Sequence, residues 1–176
     1  MRKRTIVWIV ALATSSAVLV AANFVSVREI LTGYEEVPSV STSGSGHFTA
    51  RINKDVPDIE WELSYTDLEG AVQQSHIHIA GPGVNGGISV FLCTNLGNGP
   101  AGIQPCPPAP AVISGTIAAA DVSPNIPATL AARNQGLGTG EIEELIAAIR
   151  AGATYVNIHS TTWPGGEVRA QIEVEH

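Results

Sequence analysis

Apolar and polar side chains alternate strictly through Ile59–Thr66, with Ile59, Trp61, Leu63 and Tyr65 on one side and Glu60, Glu62, Ser64 and Thr66 on the other. Successive side chains of an extended strand project to opposite faces, so this pattern predicts a strand with one buried face. Residues 46–52 repeat it, with Phe48, Ala50 and Ile52 facing His47, Thr49 and Arg51 across the strand. Further strands are expected at 24–31, 75–79, 88–92, 112–118, 155–159 and 168–174. In the last, Val168, Ala170, Ile172 and Val174 face inward and Arg169, Gln171 and Glu173 outward. The glycine-rich stretch 81–87 and the Trp163-Pro164-Gly165-Gly166 sequence read as turns. A different period appears once, at 141–150, where Ile142, Leu145, Ile146 and Ile149 follow helical spacing. Thr139 is the expected cap of that helix, Arg150 sits in its last turn, and Gly152 can close it. Residues 123–138, with Pro124 and Pro127, read as loop.

Seven or eight short strands with turn signals, and one short helix inserted late, predict an all-β fold: a Greek-key-like antiparallel β-sandwich. Phe48, Trp61, Leu63, Tyr65, Ile77, Val156, Ile158 and Ile172 form its expected core. Each large apolar side chain, once fully buried, contributes about 1.5–3 kcal/mol.

Arg2, Lys3 and Arg4 precede an apolar run at 6–13 and small residues up to Ala22. This predicts a signal peptide over 1–22, or an N-terminal anchor if cleavage does not occur, and places the domain from residue 25 to 176 outside the cytoplasm. Without that basic segment the chain carries six cations against sixteen carboxylates, a net charge of −10. Such a domain repels nucleic acid and anionic surfaces. No nucleic-acid partner is expected, and membrane contact only through an uncleaved N-terminal segment. Cys93 and Cys106, with twelve residues between them, are most simply a disulfide in an exported protein.

The candidate chemistry lies in the histidines. His76 and His78 share one face of the 75–79 strand, and Asn157 and His159 share the polar face of 155–159. If the two strands are neighbours, His76, His78 and His159 meet. Three readings remain open: a structural hydrogen-bond network, a metal site, or a site for an organic ligand. Imidazoles suit copper or zinc, and ring nitrogens about 3–4 Å apart would let all three share an ion at about 2 Å. Asn157, Glu167, Arg169 and Gln171 are candidate supporting residues around such a site. Glu167 and Arg169 stand two residues apart and can pair. Glu35 and Glu36 read as an exposed turn, His47 as a surface residue, His176 as a mobile terminus, and Trp163 as an exposed contact point for a partner. No nucleophile elbow surrounds Ser160, Thr161 and Thr162, and residues 81–87 do not form a phosphate-binding loop. No catalytic residue is identified.

Four blocks in order carry a family resemblance: LTGYEEVP at 31–38, SHIHI at 75–79, AGATYVNIH at 151–159 and PGGEVR at 164–169. Together they resemble the CHRD domain, named from chordin and also found alone in exported bacterial proteins. The resemblance implies an extracellular all-β domain and no reaction. In chordin the domain accompanies growth-factor-binding modules; none is present in this sequence, so that activity is not carried over. Trp163 stands where many members have a polar residue or a further histidine. The expected function is therefore a non-enzymatic binding or scaffold module of the cell envelope or extracellular space, with an envelope or extracellular protein or ligand as partner. The alternative is a copper- or zinc-binding protein, redox-active if the metal is copper, with the metal on His76, His78 and His159; superoxide dismutase is its analogy at the level of fold alone.

Overall fold

A computed structural model describes residues 24–53 and 55–175. The expectations for 1–22 and for His176 lie outside the described residues. Eight strands follow in chain order: β1 (Phe24–Thr32), β2 (Ser45–Asn53), β3 (Ile59–Thr66), β4 (Val72–Ile79), β5 (Gly87–Thr94), β6 (Ala111–Ile117), β7 (Thr154–Ser160) and β8 (Val168–Gln171). All pair antiparallel, in the order β5-β4-β7-β8-β1-β2-β3-β6. The all-β antiparallel fold is as expected, but the two layers belong to one continuous, nearly barrel-like sheet. Its edge strands, β5 and β6, are spanned by a side chain. Gln104 Nε2 donates to Leu92 O on β5 at 3.0 Å and to Ser114 O on β6 at 3.3 Å.

The alternation read from the sequence appears directly as burial. In β3 the even-numbered residues are exposed or half-buried, and Ile59, Trp61, Leu63 and Tyr65 are buried. They join Phe48, Ile77, Val156, Ile158 and Ile172 in one core. The Tyr65 hydroxyl donates to Pro107 O at 2.6 Å, so the phenol enters the core without an unpaired oxygen. Helix α2 (Ile142–Arg150) adds Ile142, Leu145, Ile146 and Ile149 to the core. Its cap is Glu141 rather than Thr139; the Thr139 hydroxyl donates instead to Ser123 O at 2.7 Å.

The 123–138 segment contains a second helix, α1 (Leu130–Asn134), entered through a 3-10 turn at Pro127–Thr129. Five residues are too few to show helical periodicity, and the prolines masked it; Pro127 occupies the first position of the turn, where its missing N–H is harmless. Helix α1 lies so close to β5 that a Cβ on Gly87 would stand 2.1 Å from Ala132 N, which explains the glycine there.

Cys93 in β5 and Cys106 in the loop before β6 form a disulfide. The loop is also held by Asn95, whose Oδ1 accepts from Cys106 N and whose Nδ2 donates to Cys106 O and Val72 O. Replacing both cysteines by serine is expected to lower stability by about 3 kcal/mol in the chain-entropy view of a loop this size. Urea titration should show an earlier midpoint and a slope that rises rather than falls, because the unfolded chain without the link is less compact. An unmoved midpoint would show that Asn95 alone fixes the loop.

Strands β4 and β7 depart from one-sided burial: every residue of β7 is buried, as are Ser75, His76, Ile77 and His78 of β4. One face meets the core. The other is roofed by three connections, those after β1, between β4 and β5, and between β7 and β8.

Candidate metal centre

The ladder register sets the composition of the roofed face. His76 stands opposite Asn157, His78 opposite Tyr155 and Gln74 opposite His159. On the other side of β7, Asn157 faces Arg169 and Tyr155 faces Gln171. Directly opposed residues project to the same side of a sheet, so these side chains form one polar, aromatic layer. The pairing of β4 with β5 shifts register beside His76 and again beside His78.

His76, His78 and His159 come together there. Their ring centroids are 5.4 Å apart for His76–His78, 5.1 Å for His76–His159 and 6.4 Å for His78–His159. One nitrogen from each lies within 4.8 Å of the others. Ligands that share an ion tetrahedrally at about 2.0–2.1 Å stand about 3.3–3.4 Å apart, so the rings would close in from separations of up to 4.8 Å to hold one. The donor set fits a transition metal.

The cluster is not a surface feature. His76, His78 and His159 are 0%, 6% and 7% exposed. Burial holds all three below the ordinary histidine range, His76 well below it and His78 at about 4; neighbouring imidazoles add to the effect at His76. The rings are therefore neutral at pH 7, and each offers one lone pair.

Two tautomers are fixed by the roof. His78 Nδ1 lies 2.9 Å from Gly86 O and His159 Nδ1 lies 3.0 Å from Pro164 O. A carbonyl oxygen only accepts, so both Nδ1 atoms carry the proton and both Nε2 atoms face inward as lone pairs. Each Nε2 lies 3.1 Å from Asn157 Oδ1. His76 differs from both: neither of its nitrogens has a partner. Its ring meets the Phe91 ring edge-on, with centroids 4.5 Å apart. His78 stacks on Tyr155, and the Arg169 guanidinium lies over that ring at 3.4 Å.

The other residues singled out from the sequence scatter. Asn157 is at the centre of the cluster. Arg169 is outward on its strand, yet buried; it donates to Asn85 Oδ1 and Val84 O, and its guanidinium lies over the Tyr155 ring that stacks on His78. Glu167 does not pair with it: one Glu167 oxygen accepts from the Thr42 hydroxyl and from Glu69 N, both at 2.7 Å. Gln171 donates to Ala80 O and Gly152 O. Trp163 is half-buried rather than exposed, its indole N–H given to Glu69 Oε2 at 3.1 Å. His47 is exposed on β2.

Glu36 corrects the reading of its turn. The 3-10 turn Gly33–Glu35 rolls Glu36 inward, where it is 5% exposed, and leaves Glu35 in solvent. Its carboxylate accepts from Asn157 Nδ2 at 3.4 Å, and burial pushes its pKa up to about 7. It packs so tightly on Gly166 that a Cβ there would stand 2.3 Å from Glu36 Oε1. Gly166 also has φ +132°, which favours glycine independently. Nothing local separates Glu36 from Glu35 in the sequence.

A family model described as the CHRD domain matches residues 27–172. No curated protein and no solved structure matches the chain.

Proposed function

The chain belongs to the CHRD domain family, and from that premise we propose that it is an exported, non-enzymatic binding module whose ligand is a copper or zinc ion held by His76, His78 and His159. The observation that carries this reading is the unpartnered His76 imidazole. A buried polar atom without a partner costs about 1–3 kcal/mol, and His76 has two such atoms in a completely covered ring. An ion gives one of them a bond and offsets that penalty. Neutral imidazoles are the form that binds metal, and three of them without a coordinating carboxylate favour copper or zinc over magnesium or calcium. The Cys93–Cys106 disulfide accords with an oxidising compartment. The roof over the cluster suits retention of an ion better than turnover of a substrate.

The test is calorimetric titration of the protein, purified without a histidine tag, with Cu(II) and Zn(II). One equivalent is expected to bind with a Kd below micromolar, and His78→Ala is expected to weaken that binding at least tenfold. Binding no tighter than micromolar, or binding indifferent to His78→Ala, would leave the three rings as a structural network.

A further inference from the structure

Asn157 makes two contacts that its neighbours' hydrogen bonds do not permit. The inward Nε2 atoms of His78 and His159 are both lone pairs, because their Nδ1 protons go to Gly86 O and Pro164 O. The atom they share, Asn157 Oδ1, is itself an acceptor, 3.1 Å from each. Three acceptors therefore converge with no hydrogen among them, and beside them stands His76, whose nitrogens have no partner either. With the amide in this orientation, a cation is what would hold the constellation together.

We propose that the Asn157 carboxamide oxygen is the fourth ligand of the ion, closing an N3O tetrahedron with His76, His78 and His159; this rests on the metal reading above. Four ligands at about 2.0–2.1 Å in a tetrahedron stand about 3.3–3.4 Å from one another. The two observed N···O separations of 3.1 Å are close to that edge. The register supplies the rest: Asn157 lies directly opposite His76 on β4, so the oxygen and the third imidazole face the same space. Glu36 is the positioning residue. By accepting from Asn157 Nδ2 it turns the amide so that the oxygen points at the imidazoles. Four protein ligands leave no open position for water or substrate, which distinguishes a holding site from a hydrolytic one. Turned the other way, the amide would donate one hydrogen to each Nε2 and no ion would be needed; that arrangement is the competing outcome.

The experiment uses Co(II) as a spectroscopic probe and Zn(II) for affinity, on the tag-free protein and three variants. Wild type is expected to show the intense visible bands of four-coordinate tetrahedral Co(II). Asn157→Leu keeps the volume but loses the oxygen; zinc affinity should fall at least tenfold and the bands should weaken as water enters. Asn157→Asp restores an oxygen and adds charge, so zinc should bind at least tenfold more tightly than to the leucine variant, with tetrahedral bands retained. Glu36→Gln should weaken zinc binding while the bands keep their shape. Zinc affinity of Asn157→Leu within threefold of wild type, with the wild-type Co(II) spectrum, overturns the assignment and leaves the ion on the histidines alone. If the leucine variant does not fold, aspartate decides: a loss of the tetrahedral bands in Asn157→Asp is equally fatal. Wild-type protein that takes up neither cobalt, zinc nor copper removes the metal reading itself, and with it the fourth ligand.

Discussion

His76→Leu is expected to do two things at once: abolish metal binding and make the metal-free domain more stable. Most substitutions of a fully buried residue are destabilising, so the sign is diagnostic. The imidazole sits in a covered space with both nitrogens unpartnered and the Phe91 ring against it. Leucine has similar volume, packs against the same ring and brings no polar atom. Removing a buried polar group that lacks a partner recovers about 1–3 kcal/mol. At this chain size that corresponds to a melting temperature about 2–4 °C higher for each kcal/mol. Calorimetric scans of both proteins in chelator give the answer. A clear fall in melting temperature would mean that His76 has partners in solution, and the argument for a metal would lose its main support.

The metal-free domain is also expected to lose stability as the pH falls below about 6.5. The three histidines have pKa values lowered by burial, His78 to about 4, so between these values and 6.5 the unfolded chain binds protons that the native state refuses. Their contribution is complete above 6.5 and is lost as the pH falls toward the native values. Glu36 acts in the opposite sense. Its pKa, raised by burial to about 7, gives stability that is complete below 4.5 and disappears as the pH rises through 7. Glu29, also raised by burial, adds a smaller effect of the same sign. For His78 alone the shift is worth on the order of 3 kcal/mol, and Glu36 offsets a similar amount. His76 and His159 therefore decide the slope, and stability should peak near pH 6.5–7 and decline on the acid side. Urea titrations from pH 8 to 4.5 measure it. A flat or rising profile on acidification would show that the rings are hydrated or paired when folded. Saturating zinc should raise the curve near pH 7, by about 2.7 kcal/mol at one hundred times Kd, and the gain should vanish as protons displace the ion.

Period-two patterning made most of this legible. All eight strands fall where alternation or apolar runs place them, because a half-buried strand writes its inner face into every second residue. The same rule put His76 and His78 on one face and Asn157 and His159 on another; that these faces coincide is a matter of strand order, which periodicity does not encode. The roof was not legible. A loop that covers a polar face leaves no periodic trace, so the pattern places His76 on a polar face without showing that the face is fully enclosed. Glu36 was read as solvent-exposed with Glu35 because a single 3-10 turn decides which of two adjacent carboxylates goes inward. Arg169 was read correctly as outward on its strand, yet outward there means into the covered layer. Glu167 and Arg169, two apart in the sequence, can pair on spacing alone, but Thr42 and Glu69 take the carboxylate and Val84 and Asn85 take the guanidinium, from three different loops. Asn157 was placed beside the site, where its position between two imidazoles makes it central.

The closure between β5 and β6 has a bearing on how the domain meets other molecules. An open sheet ends in two rows of free amides and carbonyls, each a template for a strand from another molecule. Here the curl brings both ends face to face, and the chain's own loop occupies the gap: Thr94 N donates to Gln104 O at 3.1 Å, and the Gln104 side chain reaches both margins. The disulfide fastens that loop to β5. What holds the ends in place is thus Gln104, Asn95 and one covalent link rather than a ladder, and reduction of that link is expected to loosen the cover over the sheet's most adhesive margins.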